Sequence, residues 1–431
     1  MAEDVEDADN ADMNRSPLIV ILTTVFIALV GFGIVIPVLP FYAEGTQFNA
    51  TPRTVGLLFA SYSIMQLIFS PILGGLSDKY GRRPVLLLSI IGTGIGFLII
   101  GLAQTLPLLF VGRILDGITG GNISTAQAYV ADVTTKENRA SGMGLIGAAF
   151  GMGFIFGPAI GGILSRWGVH VPFFFAAALS FANAILLYFK LPETVTANRP
   201  AQNRAARGRG LNQLIDSLKQ PRLAFVLTIY FLFIVSFSIM TTSFSLYTMF
   251  RFGYDAQHTG YLFAYVGIIA VIIQGGLIGR LVKRFGEMPL VIVGALCFAI
   301  SLFAVPFVGP AAGGLAALLI GGGVFSLGNS LATPALNSLA SKSASPEQQG
   351  TILGVTQSAA SLARAVGPFL TAILIASPIA YIGADGLPHY MSDHSLFVTF
   401  WTGAAIMFLA FLLAFYFSRT TAQTAQSVPQ S

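Results

Sequence analysis

The sequence predicts an all-α membrane protein whose twelve transmembrane helices form two six-helix, pseudo-repeated bundles. Three observations lead there. Of 431 residues, 55% are apolar and only 10% charged, with a mean hydropathy of +0.77, whereas a soluble domain carries about 25% charged residues. Apolar runs of the roughly 20 residues needed to cross a bilayer occur twelve times. The second half of the chain also echoes the first, at shifts of 201 and 210 residues.

In order, spans 1 to 12 are Leu18 to Leu39, Val55 to Leu76, Pro84 to Ala103, Leu108 to Ala131, Gly142 to Leu164, Pro172 to Phe189, Leu223 to Phe250, Gly260 to Val282, Pro289 to Phe307, Gly314 to Ala340, Thr351 to Ala376 and Leu396 to Phe417. Residues 1–16 hold six of the 18 acids (Glu3, Asp4, Glu6, Asp7, Asp9 and Asp12) and read as an acidic tail. A secretory signal has a basic start and a shorter apolar core, so span 1 reads as a spanning helix. The six-helix bundles are expected at residues 17–190 and 222–418, joined by a polar linker at 191–221 and followed by a tail at 419–431.

Twelve spans put both termini on one side, and that side carries 18 of the 23 Lys and Arg residues. Three (Arg53, Arg166, Arg251) face the other side, and Arg113 and Arg364 lie inside spans. By the positive-inside rule both termini are cytoplasmic, which predicts a multi-pass protein of the cell membrane. At a shift of 210, Gly144 pairs with Gly354, Gly157-Pro158 with Gly367-Pro368, and Ile163-Leu164 with Ile373-Leu374. At 201, Gly74-Gly75-Leu76 through Gly81 pairs with Gly275-Gly276-Leu277 through Gly286. Such repeats characterise alternating-access transporters.

Composition also excludes. The single Cys297 supports no disulfide framework or cysteine metal site. His170, His258, His389 and His394 fall in polar breaks, none in a run with a second metal-type ligand, so no metal or other cofactor is expected. Asp385, His389, Asp393 and His394 cluster in the last external loop; metal binding is one reading there and a solvated loop the default. Basic residues hug helix ends, which explains the net charge of +5 without nucleic acid. An enzyme is not expected.

The loop after span 2 reads Gly74-Gly75-Leu76-Ser77-Asp78-Lys79-Tyr80-Gly81-Arg82-Arg83. Gly81 suits a tight helix-loop-helix turn, and Gly74 and Gly75 would let span 2 approach a neighbour closely. Asp78 is placed to bond a facing helix N-terminus, where unpaired amides favour a carboxylate. In this loop the chain resembles the major facilitator superfamily, whose pattern Gly-x-Leu-x-Asp-Arg-x-Gly-Arg-Lys/Arg it departs from only at Lys79. The resemblance implies a cytoplasmic latch for the outward-facing state, in which Arg82 pairs with Asp132 after span 4 and Arg139 joins a network that breaks when the cytoplasmic side opens. Arg113-x3-Gly117-x2-Gly120 resembles the family's cavity-lining signature of helix 4. Gly153 with Gly157-Pro158-Ala159-Ile160-Gly161-Gly162 resembles the signature of drug:proton antiporters; glycine and proline would bend and thin span 5 into a close, mobile contact between halves, and generic glycine packing is the alternative. Gly31-x-Gly33-x2-Ile36-Pro37, Ala131-Asp132 with Arg139, and Ser361 to Arg364 with Gly367-Pro368 resemble tetracycline-resistance exporters and their relatives.

Those exporters carry an Asp in helix 1 where this chain has Ala28, so neither tetracycline nor their proton relay is implied for it. Charges inside a membrane are costly and usually functional. Asp116 is the carboxylate well inside a span, three residues after Arg113 on nearly the same face. Either it takes up a proton and releases Arg113, or the two form a structural ion pair. Arg364 reads as a bundle-interior residue bonded to backbone or a polar group, with an anion ligand as the alternative. Around the cavity we expect Ser61, Tyr62, Gln66, Asn122, Ser124, Gln127, Tyr230, Phe237, Thr241, Phe244, Asn329, Thr333 and Asn337. Such walls suit a neutral or amphipathic solute, or one whose anionic group meets Arg113. The expected function is proton-coupled export of a small amphipathic compound by a monomer in a lipid bilayer. Alternatives are an uncoupled facilitator or uptake carrier, and a receptor or scaffold that has lost transport.

Overall fold

A computed structural model describes residues 15–45, 47–134, 139–194, 221–343, 349–376, 381–382, 388–389 and 391–426. Most of the linker expected at 191–221, residues 1–14 of the first tail and 427–431 of the last lie outside these residues.

Helices occupy all twelve apolar segments, since in lipid a helix satisfies every backbone polar group within itself. Spans 1 to 3 are α1 (Arg15–Glu44), α2 (Pro52–Tyr80) and α3 (Arg82–Gly101). Span 4 is split into α4 (Leu106–Thr119) and α5 (Asn122–Val133). Spans 5 to 7 are α6 (Arg139–Ser165), α7 (Val171–Lys190) and α8 (Pro221–Phe252). Span 8 is α9 (Ala256–Ile272), a π turn (Ile273–Leu277) and α10 (Ile278–Phe285). Spans 9 to 12 are α11 (Glu287–Ala304), α12 (Gly314–Lys342), α13 (Gln349–Leu374) and α14 (Asp393–Gln426). Among the described residues, nine helices are long and apolar enough to cross a membrane. A two-residue strand pair, β1 (Tyr381–Ile382) with β2 (Pro388–His389), ties the last loop.

Two departures from the expected helices bear on function. Span 4, expected as one run, breaks at Gly120-Gly121, and span 8 loosens into a π turn at Ile273-Gln274-Gly275-Gly276-Leu277. Glycines permit both irregularities, which periodicity of apolar residues does not register.

Helix packing repeats between the halves. In the first six spans, 1 packs on 5 and 6, 3 on 4 and 6, and 2 on 4. In the second six, 7 packs on 11 and 12, 9 on 10 and 12, and 8 on 10, the same scheme displaced by six. Span 2 against 11 and span 5 against 8 join the halves, again related by six.

Glycines set these distances. A Cβ on Gly157 would stand 2.6 Å from Cα of Gly33, and one on Gly153 would meet Leu29 Cβ at 2.4 Å, so span 5 lies directly on span 1. A Cβ on Gly367 would meet Ser238 Cβ at 2.4 Å, the equivalent contact of spans 11 and 7. This corrects one expectation: most of the Gly-Pro motif thins span 5 against its own bundle, and Gly162 packs across halves, where a Cβ on it would lie 2.7 Å from Cα of Gly260. A Cβ on Gly56 would likewise lie 2.7 Å from Cα of Ala372.

These two contacts between halves, Gly56 with Ala372 and Gly162 with Gly260, sit at the end opposite Gly81 and Gly286. At the Gly81 end, a Cβ on Gly75, Gly275, Gly276 or Gly279 would meet nothing within 4 Å, and one on Gly74 only Ser124 Oγ at 3.8 Å. Gly74 and Gly75 therefore do not make the close approach the sequence suggested. Among the described residues, the halves meet tightly at one end, while spans 2 and 8 stand clear at the other.

The geometry predicts that Gly157→Leu destabilises the detergent-solubilised protein by about 1–3 kcal/mol through overpacking. Gly276→Leu stays within about 0.5 kcal/mol of the parent. Thermal denaturation of both variants checks the contrast.

Candidate functional site

A pocket enclosing about 510 Å³, part of it open to solvent, lies at mid-membrane between the halves. Span 1 contributes Ala28, Leu29 and Phe32, span 2 Tyr62 and Gln66, span 3 Thr93 and Phe97, and span 5 Phe154. Asp116, Gly120, Asn122 and Ile123 come from the broken span 4, and Arg364 reaches in from span 11. Ala28 thus stands on the pocket wall, and Arg364 is the one second-half residue among those that line it.

The break in span 4 shapes this pocket. Gly117 and Gly120 admit span 2: Cβ atoms there would lie 2.5 Å from the Tyr62 carbonyl and 3.0 Å from its hydroxyl. Ending α4 frees the Gly120 carbonyl, and Gln66 Nε2 donates to it at 3.0 Å and to the Tyr62 hydroxyl at 2.9 Å. Thr93 and Thr119 share a hydroxyl bond of 3.1 Å.

Arg113 and Asp116 form an ion pair, NH1 to Oδ2, at 2.9 Å. Both are buried, Arg113 at 0% and Asp116 at 3% exposure. The guanidinium lies over the Tyr62 ring, 4.3 Å from its centre, a cation–π contact that is strongest where water is excluded. Its Nε and NH2 make no hydrogen bond. Asp116 lines the pocket and Arg113 does not, so the expected meeting of a solute anion with Arg113 is not what the geometry offers.

The second constellation is the loop at Gly81, whose φ of +105° explains the glycine. Arg82, 2% exposed, donates from NH1 to Ser77 Oγ at 2.6 Å and pairs with Asp78. Its Nε reaches Asp132 Oδ2 at 3.0 Å, as the sequence led us to expect. A further carboxylate, Glu193, stands on the start of span 3, where it accepts from the Arg82 and Arg83 amides at 2.9 and 3.0 Å. Arg83 also donates to the Tyr188 carbonyl at the end of span 6. These contacts are formed although, among the described residues, spans 2 and 8 stand clear at this end, so the expectation that they break when this side opens does not hold for Arg82, Asp78 and Asp132. The Arg139 side chain lies outside the described residues.

Of the residues predicted for the cavity, Tyr62, Gln66, Asn122 and Arg364 line the pocket. Phe237 stands one ring behind, 5.8 Å from Phe154 by ring centres. Tyr230 is buried in the core. Asn329 accepts from Thr333 at 3.1 Å, and Gln127 and Asn337 are half-buried; none of these four is on the pocket wall. Phe32, Thr93, Phe97, Phe154 and Glu193 were not anticipated, since an apolar ring or threonine within a span looks like packing and Glu193 follows a span end. Asp393 pairs with Arg251 at 3.0 Å, while the side chains of Asp385 and His389 lie outside the described residues. Among the described residues no group of three His, Cys, Asp or Glu could hold a metal.

The sequence pattern of the Major Facilitator Superfamily matches residues 21–368. The class H tetracycline resistance protein of Pasteurella multocida is 32% identical over 430 residues, which is 97% of this chain and 100% of that protein. Multidrug resistance protein 2 of Bacillus subtilis is 31% identical, covering 85% of this chain and 90% of its own. The fold is also that of the human organic anion transporter MFSD10 (TETRAN), with TM-score 0.66 and 23% identity over 93% of this chain and 99% of the other.

Removing Arg82 leaves two carboxylates without their cation. Because both keep some solvent, Arg82→Ala is expected to cost about 1.5–3 kcal/mol. Adding Asp132→Asn should recover part of that loss, a coupling measured by a double-mutant denaturation cycle. Strictly additive losses contradict it.

Proposed function

Because this chain belongs to the Major Facilitator Superfamily, we propose that it is a secondary active exporter that uses the proton gradient to remove a small amphipathic compound by alternating access. The observation carrying this reading is the pocket between two pseudo-repeated bundles that touch closely at one end and stand apart at the other. With both termini cytoplasmic, as the placement of basic residues favours, the Gly81 end is the cytoplasmic one and the pocket opens toward the compartment to be cleared. The family's tetracycline and multidrug resistance proteins supply the precedent for export. A monomer suffices, since both bundles of the pocket come from one chain.

Asp116 is the proposed proton site. It is the carboxylate on the pocket wall among the described residues, and its bond to buried Arg113 gives proton uptake a defined consequence: the neutral acid no longer pairs the guanidinium, which is left with the Tyr62 ring it already covers. Arg82 with Asp78 and Asp132 ties the cytoplasmic ends of spans 2 and 4 together within the first bundle, and Glu193 holds the start of span 3 against the end of span 6. A second reading, an uncoupled facilitator, is favoured by Ala28 on the wall, where the tetracycline exporters carry an acid. A scaffold without transport has no use for a solvent-reaching pocket lined by charge.

Reconstituted protein is expected to accumulate substrate against its gradient when a pH difference is imposed. Equal rates and equal final gradients without the pH difference would select the facilitator. Asp116→Asn should abolish the driven component while preserving counterflow exchange; unchanged driven transport would return Asp116 to a purely structural role.

A further inference from the structure

Resting on the transporter reading, we propose that the pocket selects an amphipathic organic monoanion, whose carboxylate or sulfonate pairs with Arg364 while its apolar body lies against Phe32, Phe97 and Phe154.

Three charged side chains occupy the spans around this pocket. Two cancel: Asp116 is held by Arg113 at 2.9 Å, and Arg113 is sealed from the pocket at 0% exposure. The third, Arg364, is on the pocket wall. Its NH2 donates to Ser361 Oγ, three residues earlier on the same helix, at 3.1 Å. Among the described residues no carboxylate lies within ion-pair distance of it. The pocket therefore carries a net charge of +1 on a guanidinium whose planar fork fits a carboxylate or sulfonate in bidentate fashion.

The remaining chemistry agrees. A cationic ligand would approach Arg364 and find the opposing carboxylate already engaged by Arg113. A neutral ligand would leave the guanidinium with one hydroxyl partner in a region where charge is costly. Rings from spans 1, 3 and 5 suit a flat apolar body, and Gln66 and Asn122 offer amides to polar substituents.

The placement of Arg364 adds a mechanical consequence. The other lining residues all belong to the first six spans, so an anion bound to Arg364 touches both halves at once. Such a ligand has different affinities for states in which the halves are differently placed, which is what allows it to shift the equilibrium between them.

The test uses full-length purified protein and three probes of one shape: 2-naphthoate, methyl 2-naphthoate and 2-naphthylmethylammonium. Isothermal titration calorimetry is expected to show the carboxylate binding at least ten-fold more tightly than either analogue. Arg364→Gln should erase that preference, and Arg364→Lys should keep part of it. Equal binding of the three probes, preference for the ammonium, or an undiminished carboxylate preference in Arg364→Gln overturns the proposal. The parent's ranking decides the matter even if a variant fails to fold. Proteoliposome uptake separates this inference from the reading beneath it. Driven transport of the ammonium or ester alone sinks the anion assignment and spares the exporter. Carboxylate binding through Arg364 without driven transport supports the assignment and sinks the exporter.

Discussion

The ion pair of Arg113 and Asp116 is the contact on which the pocket depends. An unpaired charge at mid-bilayer costs about 2.5–3.5 kcal/mol on insertion scales, so the two must face each other within one turn of α4. With the pair fixed, the remaining guanidinium surface is covered by the Tyr62 ring at 4.3 Å. That draws span 2 onto span 4, and Gly117 and Gly120 make room for it. Tyr62 in turn holds Gln66, which satisfies the carbonyl freed where α4 ends. A helix can break inside a membrane only where such a partner replaces the lost bond.

The two halves share a packing scheme but divide the chemistry. Spans 2 and 8, 3 and 9, 5 and 11 occupy equivalent places, and Gly81 and Gly286 make equivalent positive-φ turns. Following Gly81, Arg82 gathers Asp78 and Asp132 while Glu193 caps span 3. Following Gly286, a smaller set appears, with Glu287 accepting from Ser338 at 3.0 Å and paired with Lys342. The pocket is more unequal still: its acid and its polar amides come from the first six spans, and the second six contribute one cation. A repeated scaffold provides two bodies that can rock, and the unlike charges give a ligand something to distinguish.

Much of this was legible in the sequence because membranes make charge conspicuous. Twelve spans, the loop motif and the three intramembrane charges follow from residue positions, and the Arg82–Asp132 pair from the family resemblance of that motif. The partition of their roles does not. Arg113 and Arg364 look alike as lone arginines in apolar runs, and only packing shows that Tyr62 and Asp116 seal one from the pocket while the other faces it. Glu193 sits far from Gly81 in sequence and meets the span 3 amides through the fold of the first bundle. The break at Gly120-Gly121 is hidden by the many glycines that remain helical, as Gly157 does within α6.

The central claim is that the two bundles exchange between a state parted at the Gly81 end and one closed there. Gly75 and Gly276 lie on opposite halves at that end with open space around each, so both accept a spin label after Cys297→Ser removes the single native thiol. Double electron–electron resonance between labels at Gly75→Cys and Gly276→Cys in lipid nanodiscs measures the gap directly. The account predicts a long distance in the parted state and a second, shorter population that grows or shrinks with pH and transported substrate. One distance, unchanged by pH and by every transported compound, would contradict it.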